Sequence, residues 1–151
     1  MLRQQLNDAL KSAMKEKDGR TLSTVRLILA ALKDRDIAAR SKGNMEGLDV
    51  SGILGLLQSM IKQRRESIAM YEKGGRMELA QQESEEIAVI KRFLPAQMSD
   101  AELASAVTDA IAEVGATSIK EMGKVMGILK QKYSGQMDFS KAGTVVKQQL
   151  G

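Results

Sequence analysis

The chain has 151 residues, 23 basic against 19 acidic, a net charge of +4, and neither cysteine nor histidine. Those absences exclude a disulfide framework and any thiolate metal site, and they remove the commonest metal ligand together with the usual general base and proton shuttle. With one proline, two tyrosines, two phenylalanines and no tryptophan, and with many Leu, Ala, Met, Lys and Gln, the composition predicts an all-helical protein of one domain or two small ones.

The first helix is predicted at about 2–17, with Leu2, Leu6, Leu10, Ala13 and Met14 on one stripe and Asp18-Gly19 ending it. Its basic start could suit a membrane surface, but the stripe is short and lacks aromatic anchors, so core packing is the better reading. The second helix, about 21–41, is apolar over much of its circumference through Leu22, Val25, Leu27, Ile28, Leu29 and Leu32, which makes it the central helix of the N-terminal half. A loop over 42–47 follows. The third helix, about 50–73, closes on Gly74-Gly75, and the fourth, about 76–93, is stopped by Pro95. The stretch 95–98 is the boundary between four helices at 1–94 and three at 95–151. Ser99-Asp100-Ala101-Glu102 is a capping box that opens the fifth helix, with Gly115 at its far end. Thr117 or Ser118 is expected to cap the sixth, and a last helix starts near Asp138. No signal peptide is visible and the longest apolar run, Leu27 to Leu32, is far too short to span a bilayer, which predicts a cytoplasmic protein with no membrane partner.

The sixth helix has an unusual interior. Gly123 and Gly127 lie one turn apart, and each costs a helix roughly 0.5–1 kcal/mol relative to alanine. At about 100° per residue, Ile119, Met122, Val125, Met126 and Leu129 fall on the core face, while Lys120, Lys124, Gly127 and Gln131 lie nearly opposite with Gly123 beside them. The outer face is basic and stripped of bulk. Either a neighbouring helix packs closely there or a ligand backbone approaches it. Met122 and Met126 read as gap-fillers in the core.

Charge is uneven along the chain. Residues 1–42 carry ten basic against five acidic side chains. In the last third, Asp100, Glu102, Asp109 and Glu113 make one end acidic, and Lys120, Lys124, Lys130, Lys132, Lys141 and Lys147 make the other basic. Such polarisation suits a polyanion, although a basic helix end is also the ordinary solvated surface. Arg64 falls within the apolar stripe of the third helix, Glu83 and Glu86 within that of the fourth, and Arg26 lies between Leu22 and Leu29. Charges so placed should pair, because an unpaired buried charge is very costly. A structural ion-pair network fits them better than an active site built on carboxylates without a histidine. No catalytic residue, metal site or cofactor site is predicted.

The motif Met122-Gly123-Lys124-Val125-Met126-Gly127, preceded by Gly115-Ala116-Thr117-Ser118, resembles the signature of the GatB/YqeY tail. Upstream, Lys62-Gln63-Arg64-Arg65-Glu66-Ser67, then Glu83 to Ile87, then Phe93-Leu94-Pro95-Ala96-Gln97-Met98-Ser99 resemble the stand-alone YqeY-like members of that family, so the likeness covers nearly the whole chain. It departs at Gly135-Gln136-Met137-Asp138, where the family commonly has Gly-Arg-Ala-Asp, so a basic contact from position 136 is absent. The tail closes the B subunit of the glutamine-dependent amidotransferases that amidate mischarged tRNA. The resemblance therefore implies a non-catalytic tRNA-binding or tRNA-associated accessory protein of translation, with Lys120, Gly123, Lys124, Gly127, Lys130, Lys132, Lys141 and Lys147 as its RNA-binding surface. Amidotransferase or aminoacyl-tRNA synthetase components are its possible protein partners. The alternatives are participation in glutamine-dependent amidation, as a carbon–nitrogen ligase with glutamine as amido-N donor, and a helical protein–protein adaptor. No amidase segment and no phosphate-binding glycine loop is visible for the second of these.

Overall fold

The computed structural model describes residues 1–151 and is all-helical. Its helices are α1 (Leu2–Glu16), α2 (Gly19–Ser41), α3 (Val50–Lys73), α4 (Met77–Lys91), α5 (Asp100–Val114), α6 (Met122–Lys132) and α7 (Phe139–Leu150), with a 3-10 turn at Ile119–Glu121 just ahead of α6. The chain divides into two compact units, Met1–Leu94 and Pro95–Gly151.

Local chemistry fixes most of the helix ends. The carboxylate of Asp18 accepts from the Thr21 N–H, that of Asp49 from the Gly52 N–H, and that of Asp138 from the N–H groups of Ser140 and Lys141. Ser99 and Glu102 exchange both bonds of a capping box. At the other end of α5, Gly115 takes the left-handed conformation (φ 72°) that closes the helix. Lys17 adopts the same conformation between α1 and α2, so α1 ends at Glu16 and Asp18 serves as the cap of α2.

In the N-terminal unit all four helices contribute fully buried aliphatic side chains, among them Leu6, Ile28, Leu57 and Ile90, around which the core closes. α1 pairs with α2 and α3 with α4, and α2 joins the pairs through α4 while touching α3 much less. Burial on α2 follows Thr21, Thr24, Val25, Ile28 and Leu32, whereas Leu27 is 47% exposed. The apolar circumference expected of α2 is thus only partly used. In the C-terminal unit α5, α6 and α7 each pack on the other two around Val107, Val125, Leu129, Met137, Ala142 and Val146.

Two local expectations are corrected at the start of α6. Ser118 is extended and its side chain makes no capping bond, and the chain enters α6 through the 3-10 turn. That turn swings Ile119 out of the α-helical register, leaving it 50% exposed instead of in the core.

Candidate nucleic-acid interface

α6 is seated by Val125 and Leu129, both fully buried, with Met122, Met126 and Ile128 packed against the same core. The opposite side carries Gly123, Lys124, Gly127, Lys130 and Gln131, all exposed. A methyl group placed on Gly123 or Gly127 would meet nothing within 4 Å. No helix of the C-terminal unit lies on this face, so the glycines do not serve close packing within the unit. They bare about 6 Å of helix backbone between lysines.

The lysines named for this surface divide into two groups. Lys120, Lys124, Lys130 and Lys147 are exposed and form no ion pair. Lys132 donates to Glu113 Oε2 at 2.6 Å, and that hydrogen bond, with the carboxylate's charge, raises its pKa. Lys141 lies 3.7 Å from Asp100, but both side chains are largely solvated, so the pair holds it weakly. Each of the four aromatic residues, Tyr71, Phe93, Tyr133 and Phe139, is partly buried. None offers an open ring on which an unpaired base could stack.

The ionic cluster of the N-terminal unit is built on α2, α3 and α4. Arg64 Nε donates to Glu86 Oε2 at 2.9 Å and lies 3.8 Å from Glu83 Oε2, and Arg64 Nη1 reaches the Met60 carbonyl at 3.3 Å. Glu86 is buried; Glu83 is partly so. Burial and the neighbouring Glu86 carboxylate raise the Glu83 pKa despite Arg64, because the arginine is already committed to Glu86. Arg26 is not part of this cluster. It stands two residues from Ile28, about 200° around the helix, and is exposed without an ion pair. The arginine of α2 that does join is Arg20, 3.2 Å from Glu85 and 3.8 Å from Glu86.

A second cluster ties α1 to α2 and to the loop before α3. Arg3 grips Asp36 through both ends of its guanidinium, at 2.7 and 2.8 Å, and also donates to the Leu48 carbonyl. Asp36 Oδ1 accepts from the Leu48 N–H at 2.9 Å. The Arg3 hydrogen bonds, against the opposing effect of burial, hold the Asp36 carboxyl down at about 2. Gly47 (φ 81°) lies so close that a side chain there would collide with the Asp36 carboxylate. The available signal was spacing: Ile28, Leu32 and Asp36 follow one another at i, i+4 and i+8 on the buried stripe.

Among curated proteins the chain is similar to altered inheritance of mitochondria protein 41 of Eremothecium gossypii, 35% identical over 106 residues covering 70% of this chain and 56% of that protein. The protein of the same name from Lachancea thermotolerans is 33% identical over 112 residues, 72% of this chain and 57% of that one. An uncharacterized protein of Schizosaccharomyces pombe is 30% identical over 100 residues, 66% of this chain and 74% of that protein. The chain thus spans little more than half the length of the first two relatives. Those two are named as mitochondrial proteins, which overturns the expectation of a cytoplasmic chain. That expectation rested on there being no visible signal peptide and no membrane-length apolar run, and neither separates an aqueous organelle interior from the cytosol; that no helix here is long and apolar enough to cross a membrane does not tell the two apart. The family described as Yqey-like protein matches from residue 3 to residue 150, taking in the four-helix unit and its ionic cluster as well as the glycine-faced helix, and the chain belongs to that family.

Proposed function

We propose that this protein is a non-catalytic accessory factor that binds tRNA through the outer face of α6. The observation that carries the reading is the bare backbone at Gly123 and Gly127, with nothing within 4 Å, flanked by the unpaired Lys120, Lys124 and Lys130. Two exposed interior glycines cost the helix on the order of 1–2 kcal/mol. A phosphate backbone approaching closely between lysines accounts for that cost, and the resemblance of this segment to the amidotransferase tail favours tRNA as its source. Without an open aromatic platform, a folded RNA read through phosphates and ribose hydroxyls suits the face better than an unpaired strand.

The test is tRNA affinity as a function of salt. Lys120, Lys124, Lys130 and Lys147 would neutralise about three to four phosphates, giving a slope of log affinity against log salt of roughly −2 to −3.6. Affinity falls on the order of tens-fold between about 50 and 200 mM salt. Lys120→Glu with Lys124→Glu abolishes binding while the circular dichroism spectrum stays unchanged. Folded tRNA competes well and an unstructured oligonucleotide of equal charge poorly. Equal competition reduces the face to a generic basic patch, and no binding to either at low salt leaves the protein-adaptor reading in front.

A further inference from the structure

The most basic stretch of the chain, residues 1–42, lies outside the α6 face, and three of its ten basic side chains line one groove. The groove runs between α1 and α2, is open to solvent, has a volume of about 270 Å³, and is lined by Arg3, Asn7, Leu29, Leu32, Lys33, Asp36 and Arg40. On α2 the positions 29, 32, 33, 36 and 40 share one stripe, and on α1 Arg3 and Asn7 stand at i and i+4, so both helices direct these side chains to the same place. Asp36 is the one carboxylate in the lining, and it is spent: Arg3 holds both of its oxygens and the Leu48 N–H takes a further lone pair. Lys33 and Arg40 form no ion pair, so the groove presents two uncompensated cations over a floor of Leu29 and Leu32. The low-dielectric floor strengthens their field.

Arg40 is also positioned in advance. Its Nε donates to the Met45 carbonyl at 3.2 Å, which fixes the guanidinium plane and leaves both terminal nitrogens free. A planar fork held in that way is suited to a phosphate. Lys33 and Arg40 are two helical turns apart, about 10 Å by rise, and two long flexible side chains lining one groove at that spacing suit two phosphoryl groups better than one. The volume falls just below the range for small-molecule sites, about 300 Å³ and upward, which limits the groove to a small ligand.

We infer that the α1–α2 groove is a binding site for a small diphosphate-bearing ligand, clamped between Lys33 and Arg40. The site stands on the N-terminal unit and does not rest on the RNA reading of α6. Its test uses the full chain, labelled with nitrogen-15 and titrated with inorganic pyrophosphate at constant ionic strength. The expected result is a saturable shift of amide resonances confined to α1, α2 and the loop carrying Met45, with Lys33→Gln plus Arg40→Gln weakening affinity at least about tenfold, as the loss of two charge-assisted contacts demands. Because Arg40 also steadies the loop, Lys33→Gln alone is the second variant; it removes an exposed, unpaired side chain and should weaken binding with the melting temperature unchanged. Lys124→Gln leaves pyrophosphate affinity as it was. Linear, unsaturable shifts overturn the proposal, and so does equal affinity in the Lys33→Gln chain. Failure of pyrophosphate to saturate, together with weaker tRNA binding by Lys33→Gln, also overturns it and gives the groove to an RNA backbone.

Discussion

Glu86 and Glu83 occupy neighbouring turns of one helix and face the same arginine, yet their surroundings predict opposite contributions to stability. Glu86 is 7% exposed and lies 2.9 Å from Arg64, so removing the guanidinium leaves a buried carboxylate with only the more distant Arg20. Arg64→Ala should cost about 3–5 kcal/mol and lower the melting temperature of its unit by more than about 10 °C. An unchanged melting temperature would show that water replaces the guanidinium at no cost. Glu83 has its pKa raised by burial and by Glu86, so its protonated form is favoured more in the native state than in the unfolded chain. A carboxyl raised in this way adds most stability below its unfolded value, near 4.5, and loses that contribution as pH rises through the native value. Glu83→Gln should therefore leave stability at neutral pH unchanged or raise it, whereas Glu86→Gln should lower it, and urea midpoints of the two variants decide the matter. Asp36 behaves in the opposite way. Its native pKa of about 2 lies below the ordinary 3.8, so its contribution is full above about pH 4 and disappears as pH falls toward 2. The size is on the order of 1–2 kcal/mol once the solvent reaching Arg3 is allowed for. Denaturant midpoints should show Asp36→Asn destabilised at neutral pH and converging on the parent as acid is added; a constant gap would assign the effect to packing.

At the scale of helices, two glycines with opposite surroundings give opposite predictions. Gly127 is helical and open, so Gly127→Ala should stabilise α6 by about 0.5–1 kcal/mol. Gly47 has positive φ and its missing side chain makes room for the Asp36 carboxylate, so Gly47→Ala should destabilise the N-terminal unit. Thermal melts of both chains check the contrast, and a Gly127→Ala chain that is more stable yet binds tRNA less tightly ties the glycine to its ligand. These elements also show what a sequence displays by itself. Caps are contacts of three or four residues, so Ser99 with Glu102, Asp138 and Gly115 could be read directly. So could the acids of α4 that face Arg64, because charges on an apolar stripe require partners. Which arginine of α2 answers them could not, since Leu22 and Leu29 are only half buried and the true stripe runs through Thr21, Val25, Ile28 and Leu32. The Arg3–Asp36–Leu48 cluster joins residues 33 and 45 positions apart and depends on how the loop after α2 returns, which no local pattern encodes. Ile119 leaves the face that periodicity assigns it because periodicity assumes one helical pitch and the chain changes pitch there.

For the molecule as a whole, the two cores share no residue. The N-terminal unit holds seventeen basic and thirteen acidic side chains and the C-terminal unit six of each, so the net charge of +4 belongs entirely to the first. Separate cores predict separate cooperative transitions. Calorimetry should resolve two, with Arg64→Ala moving only the one of the N-terminal unit and Gly127→Ala only the other; a single transition displaced by both substitutions would mean that the units unfold as one. The loop after α2 has a further consequence. Arg40 holds the Met45 carbonyl, Asn44 the Gly47 carbonyl, Arg3 the Leu48 carbonyl, and Asp36 the Leu48 N–H. A connection fastened at so many points along so few residues has little conformational freedom left. It favours a welded junction over a hinge, and amide exchange at Leu48 should be slow for a loop position; exchange as fast as in an open loop would show that α2 and α3 scissor about it.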